Sequence, residues 1–132
     1  MAHIAILGLG NWGTAVARMW LLEGHKVKGW TIEQDVYESV VMDGVNKKYL
    51  PEHSVEGLEA TMRIDEALDG VEIVVLAIPS SVILDVVDDV IPHLRPGHVI
   101  IDLAKGLAPG KRLISQAIHE KLSAAKKTNP LA

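Results

Sequence analysis

Six residues near the start of the chain, Gly8-Leu9-Gly10-Asn11-Trp12-Gly13, limit what it can fold into more than any other feature. A G-x-G-x-x-G run alone says little. Here it follows the aliphatic run His3 to Leu7 and opens a helical pattern from Asn11 to Leu22, which is the strand–turn–helix context the motif requires. Each glycine then has a physical task. Gly8 permits a tight turn, Gly10 removes a Cβ that would block a pyrophosphate, and Gly13 lets the helix pack close to the strand. The first N–H groups of the helix, with their partial positive charge, face the phosphates. The plain alternative is a glycine-rich turn with no ligand.

The rest of the chain repeats the alternation. Lys26 to Thr31 reads as a second strand, Glu33 to Met42 as a helix, and Asn46 to Pro51 as a polar loop. Leu58 to Arg63 reads as a third strand. A short helix follows from Asp65 to Leu68, with Asp65 as its cap and Gly70 closing it. Glu72 to Ile78 holds the strongest strand signal, Ile73-Val74-Val75-Leu76-Ala77. Ser80 or Ser81 caps a helix running to about Leu94, before Pro96-Gly97. His98 to Leu103 is a fifth strand, and Lys111 to Ala124 a final amphipathic helix. Strand–helix–strand repetition gives a Rossmann-type doubly wound α/β fold, a mainly parallel sheet with helices on both faces. Phe is absent and the core must be Val, Ile, Leu and Ala, as buried parallel strands favour. Residues 1–132 read as one dinucleotide-binding domain with no internal repeat and no linker.

Further candidates lie at the ends of the strands. Glu33 stands 20 residues after Gly13, just past the second strand. A carboxylate there accepts a hydrogen bond from an adenosine ribose 2′-OH and repels a 2′-phosphate. No arginine stands beside it, which favours NAD over NADP. Glu33 supplying negative charge to a helix start is the alternative, and Asp35 is a weaker candidate for the ribose. Pro79 follows the fourth strand, where a nicotinamide edge would pass. Lys105 follows the fifth; by position alone a surface lysine fits it as well as a ligand contact.

Composition narrows the function classes. The net charge is −4 with the charges well mixed, so neither nucleic acid nor a membrane surface is an expected partner. The chain has no cysteine, which removes disulfides and thiolate metal sites and fits a reducing cytoplasm. The six histidines have no metal spacing, and no metal is expected. The opening residues do not read as a secretory leader, and no apolar run reaches membrane-spanning length.

Taken together, these segments resemble the N-terminal domain of the NAD-dependent glycerol-3-phosphate dehydrogenases. The resemblance rests on Ile4-Ala5-Ile6-Leu7-Gly8-Leu9-Gly10-Asn11-Trp12-Gly13-Thr14-Ala15, with Trp12 before the third glycine its most specific element. It rests also on Asn46-Lys47-Lys48-Tyr49-Leu50-Pro51, Ala77-Ile78-Pro79-Ser80 and Lys105-Gly106-Leu107, in the family's order. It implies that Gly8, Gly10, Asn11, Trp12, Gly13, Glu33 and Pro79 meet NAD. It implies that Lys105 binds both nicotinamide and substrate. The implied reaction is hydride transfer between NAD(H) and the glycerol 3-phosphate/dihydroxyacetone phosphate pair. Many bacterial members carry Ser where Asn11 stands and Arg where Ile32 stands, and these tend to accept NADP; Asn11, Ile32 and Glu33 look more like NAD-specific members.

In the family a further strand and a helical domain follow, which supply the general base and most of the substrate pocket. The chain therefore reads as the cofactor half, expected to bind NAD(H) without efficient turnover and to hold no catalytic residue of its own. With that further strand missing, His98 to Leu103 is expected near an open sheet edge prone to weak self-association. Two alternatives remain open: a stand-alone NAD-binding or redox-sensing module, and the cofactor domain of a 3-hydroxy-acid dehydrogenase.

Overall fold

The computed structural model describes residues 1–79, 81–103, 107–108, 112–113, 116, 120–123 and 130–131. In chain order the elements begin with β1 (His3–Leu7), α1 (Asn11–Leu22), β2 (Lys26–Trp30) and α2 (Gln34–Asp43). β3 (Val45–Asn46), β4 (Leu50–Ser54), β5 (Glu59–Thr61), α3 (Ile64–Leu68), β6 (Ile73–Leu76) and α4 (Ile83–Val90) follow. After a 3-10 turn at Ile91–His93 come β7 (Val99–Asp102), β8 (Leu107–Ala108), β9 (Arg112–Leu113) and β10 (Pro130–Leu131). Six of these strands form one parallel sheet in the order β5-β2-β1-β6-β7-β10. Numbered along the sheet strands alone, that order is 3-2-1-4-5-6, the doubly wound arrangement expected from the alternation.

The sheet is buried on both faces because its strands are apolar at successive positions, not at alternate ones. Ala5, Leu7, Val74, Leu76 and Ile100 pack on one side with Ala67 and Leu68 of α3, Ile83, Val87 and Val90 of α4, and Leu122. Ile4, Ile6, Val27 and Val75 pack on the other with Ala17 of α1 and Val36 and Val40 of α2. The helices meet the sheet through residues three and four apart, such as Val36 and Val40, or Ile83, Val87 and Val90. Truncating a fully buried aliphatic side chain such as Ile6 or Leu76 to Ala costs about 2–5 kcal/mol.

Five expectations are corrected by the structure. The polar loop over 46–51 is an antiparallel hairpin, β3 with β4, missed because β4 is largely exposed and carries no apolar alternation. α3 starts at Ile64 with Arg63 at its cap. Asp65 lies inside the first turn and receives the Arg63 guanidinium at 2.8 and 3.1 Å. α4 starts at Ile83 with Val82 at its cap and Ser81 in the preceding turn, while Ser80 lies outside the described residues. It gives way to the 3-10 turn at Pro92, which has no N–H for the next α-helical bond. The expected helix from Lys111 does not begin there, since Arg112–Leu113 pairs with Leu107–Ala108; helix is described only at 116 and 120–123. Last, β7 is not the sheet edge: Pro130 and Leu131 pair with Ile100 and Ile101.

Candidate functional site

The carboxyl ends of the parallel strands define where a ligand can enter. In a sheet of this order, the chain leaves β1 toward one face and β6 toward the other, which opens a crevice between their ends. A cleft of about 750 Å³ lies there. Gly8, Gly10, Asn11, Trp12 and Gly13 form its floor after β1, Glu33 its far wall after β2, and Pro79 its near wall after β6. Seven of the eight positions singled out from the sequence therefore share one cleft. The eighth, Lys105, lies outside the described residues; Leu103, two positions earlier, lines the cleft.

Packing constrains two of the three glycines and leaves the third free. Gly8 has φ +113°, and a Cβ there would stand 2.3 Å from the Ala77 carbonyl oxygen. A Cβ on Gly13 would stand 1.9 Å from the Gly8 carbonyl oxygen and 3.2 Å from the Ala77 Cβ, so α1 sits directly on β1 and β6. Gly10 differs: a Cβ there meets nothing within 4 Å. Its absence opens space in the cleft and relieves no clash within the protein. Gly10 also caps α1 without a side-chain hydrogen bond, so no side-chain oxygen competes for the first N–H groups of the helix. Trp12 is 64% exposed at the rim.

Glu33 caps α2 but does not turn its carboxylate onto its own helix. Its backbone N–H donates to Thr31 Oγ1 at 3.1 Å, which fixes the turn out of β2. The carboxylate faces the β3–β4 hairpin. Tyr49 Oη donates to Oε1 at 3.0 Å and Oε2 at 2.9 Å, and the Lys48 ammonium donates to Oε1. Lys48 also lies 5.4 Å from the centre of the Tyr49 ring and 4.0 Å from Asp35. The hydrogen bond to Glu33 holds the Lys48 ammonium above the usual lysine range and the Tyr49 phenol above the usual tyrosine range. The Glu33 carboxylate thus spends its hydrogen bonds on the hairpin and none on the first N–H groups of α2.

Asn46 explains how a hairpin 15 residues away reaches Glu33. Its side chain is fully buried. Nδ2 donates to the Leu9 carbonyl at 2.9 Å and to Thr14 Oγ1 at 2.8 Å, while Oδ1 accepts the Tyr49 N–H at 3.2 Å. One amide ties the glycine turn, the first turn of α1 and the hairpin into a unit. Sequence reasoning singled out the Asn46…Tyr49 segment as a motif but missed Lys48 and Tyr49 as partners of Glu33. The available signal was Lys48 and Tyr49 themselves, a cation and a phenol side by side in a segment already singled out.

A glycine turn at the split of a doubly wound parallel sheet, with a carboxylate past the second strand, defines the dinucleotide-binding class of domain. The chain matches the family model described as NAD-dependent glycerol-3-phosphate dehydrogenase N-terminus over residues 3–132. It belongs to that family. It is 35% identical over 120 residues to a Coxiella burnetii protein named glycerol-3-phosphate dehydrogenase [NAD(P)+], covering 90% of this chain and 36% of that one. A Listeria monocytogenes protein of the same name is 33% identical over 126 residues, covering 94% of this chain and 37% of the relative. The crystal structure of the glycerol-3-phosphate dehydrogenase from Coxiella burnetii superposes with a TM-score of 0.86 at 32% identity, over 96% of this chain and 38% of that one. The chain thus spans just over a third of the relatives it matches. No helix among the described residues is long and apolar enough to cross a membrane.

Proposed function

We propose that this chain holds NAD(H) in the cleft between β1 and β6 and presents its nicotinamide for hydride exchange with the glycerol 3-phosphate/dihydroxyacetone phosphate pair. The observation that carries the reading is Gly10, whose missing side chain leaves open cleft in front of the α1 N-terminus. That cradle suits a pyrophosphate, which the free N–H groups of α1 bind and its dipole favours. Bound there, the nicotinamide supplies the hydride chemistry, and the chain supplies position. Asn11 and Trp12 line the path from pyrophosphate to nicotinamide. Glu33 orients the adenosine ribose, and Pro79 borders the nicotinamide. Lys105 completes the set by contacting nicotinamide and substrate together.

The general base and most substrate contacts belong, in this reading, to the helical region that follows the cofactor domain in the family. The 132-residue chain then binds NAD(H) without useful turnover. Without an acid–base group rates fall by about 10²–10⁴-fold, and without the rest of a substrate pocket the gain from orientation goes as well. The weak self-association expected at β7 moves with the sheet edge to β10, and a cytoplasmic location goes with the same reading. Titration with NADH, followed by tryptophan fluorescence, tests the core of it. Trp12 and Trp30 both line the cleft, so saturable quenching is expected. An unchanged emission up to millimolar NADH, or a steady-state rate comparable with that of a complete dehydrogenase, overturns it.

A further inference from the structure

We infer that Lys48 makes the adenosine end of the cleft tolerate a 2′-phosphate, so that Glu33 does not exclude NADPH from this chain. The inference rests on the proposal that the cleft holds a nicotinamide dinucleotide, and it deepens that proposal at one end of the site.

A lone carboxylate past the second strand favours a ribose 2′-OH and repels a phosphate at the same place. In this chain the carboxylate is not alone. The Lys48 ammonium donates to Glu33 Oε1 and forms an ion pair with it. The two charges cancel locally, and the repulsion that Glu33 would exert on a 2′-phosphate is largely offset. The carboxylate is also partly occupied, since Tyr49 shares its one hydroxyl proton between the two oxygens and Lys48 donates to Oε1. A carboxylate has about four acceptor positions, so Oε2 still has room for a ribose hydroxyl.

The Lys48 side chain is 47% exposed and carries its charge on a flexible four-carbon stem. It can leave Glu33 for a phosphate placed beside it at little conformational cost, while Tyr49 keeps its two contacts with the carboxylate. Asn46, fully buried, keeps the hairpin anchored whichever partner Lys48 takes. Asp35, 4.0 Å from the ammonium, competes weakly because it is mostly exposed. Thus one lysine on the hairpin serves where an arginine next to Glu33 is absent: Ile32 occupies that position and is exposed.

Calorimetric titration of the full chain with NADH and with NADPH tests this, using the wild type, Lys48→Met, Lys48→Arg and Glu33→Gln. The wild type is expected to bind the two cofactors within about tenfold of each other. Lys48→Met should raise the ratio of NADPH to NADH dissociation constants by about tenfold or more, the size expected for losing one charged hydrogen bond. Lys48→Arg should restore the ratio toward the wild-type value, and Glu33→Gln should lower it. A purely structural lysine would weaken both cofactors equally and leave the ratio unmoved, which overturns the inference. So does a wild type that binds NADH but takes NADPH more than about 100-fold less tightly; that result leaves the cofactor site itself standing. Binding of neither cofactor overturns the site and the inference together.

Discussion

Among the residues of the cleft, the glycines separate packing from binding most cleanly. Gly13→Ala forces a methyl into the Gly8 carbonyl, and backbone cannot retreat as a side-chain tip would. A destabilisation of about 1–3 kcal/mol is expected, read as a lowered urea midpoint. Gly10→Ala meets nothing inside the protein, so its stability should change by less than about 1 kcal/mol, the loss expected at a helix cap. Its NADH affinity should nevertheless fall clearly, because the new methyl stands in the open cradle. Similar stability losses for the two variants would mean that the glycines serve the fold alone. The packing constraints at Gly8 and Gly13 are legible in sequence because each follows from its place in a local turn. Glu33 was legible only in part. Its position after β2 is a local fact, but its partners Lys48 and Tyr49 reach it through the tertiary fold, and no count of residues reports their charge.

At the level of elements, the hairpin β3–β4 shows why some structure stayed hidden. The sheet strands announce themselves by continuous apolar runs, and β1, β2, β6 and β7 fall within a residue or two of their expected limits. The hairpin has no such run; it is held by Ser39 from α2 and above all by Asn46, one buried amide bonded to the glycine turn, to α1 and to the hairpin itself. Asn46→Ala leaves the Leu9 carbonyl and the Tyr49 N–H without their partner, so a loss of roughly 1–3 kcal/mol is expected. The hairpin should also loosen from Glu33, which proteolysis between Asn46 and Ser54 would detect. A variant as stable and as protease-resistant as the wild type would show that the hairpin is held by something other than this amide. β8 and β9 were hidden for a similar reason: two-residue strands are too short to leave a periodic signal.

For the molecule as a whole, His98 couples stability to pH through its place at the turn into β7. It is 5% exposed, and its Nδ1 accepts the Arg95 N–H at 3.0 Å, which requires the neutral form on that nitrogen. Burial is the larger cause, and the Arg95 charge the next, that holds its pKa below the ordinary histidine value of 6.5. In the unfolded chain the imidazole therefore takes up a proton at a higher pH than in the folded one. Between the folded and unfolded values the unfolded state binds more protons, so folding stability rises with pH across that window. The contribution is fully present above about pH 6.5, is lost as pH falls toward the depressed folded value, and changes no further below it. Urea unfolding at half-unit steps from pH 8 to pH 5 should show this decline. His98→Asn keeps an acceptor for the Arg95 N–H and cannot titrate, so the same series on that variant should lose this component of the slope. An identical slope in both proteins would place the acid sensitivity elsewhere, among the carboxylates that hold ion pairs, with Asp65 first because its Arg63 partner keeps it below the usual carboxylate range. The outer side of the same strand supplies the second test at this scale. Pro130 and Leu131 cover β7 along Ile100 and Ile101, a pairing that local patterns did not reveal because two residues in parallel register carry no turn and no alternation. A chain ended at Asn129 uncovers those backbone groups and is expected to sediment as a concentration-dependent mixture with more self-association than the 132-residue protein, since an unpaired apolar edge recruits another strand. Indistinguishable profiles for the two chains would mean that β10 gives the sheet no protection.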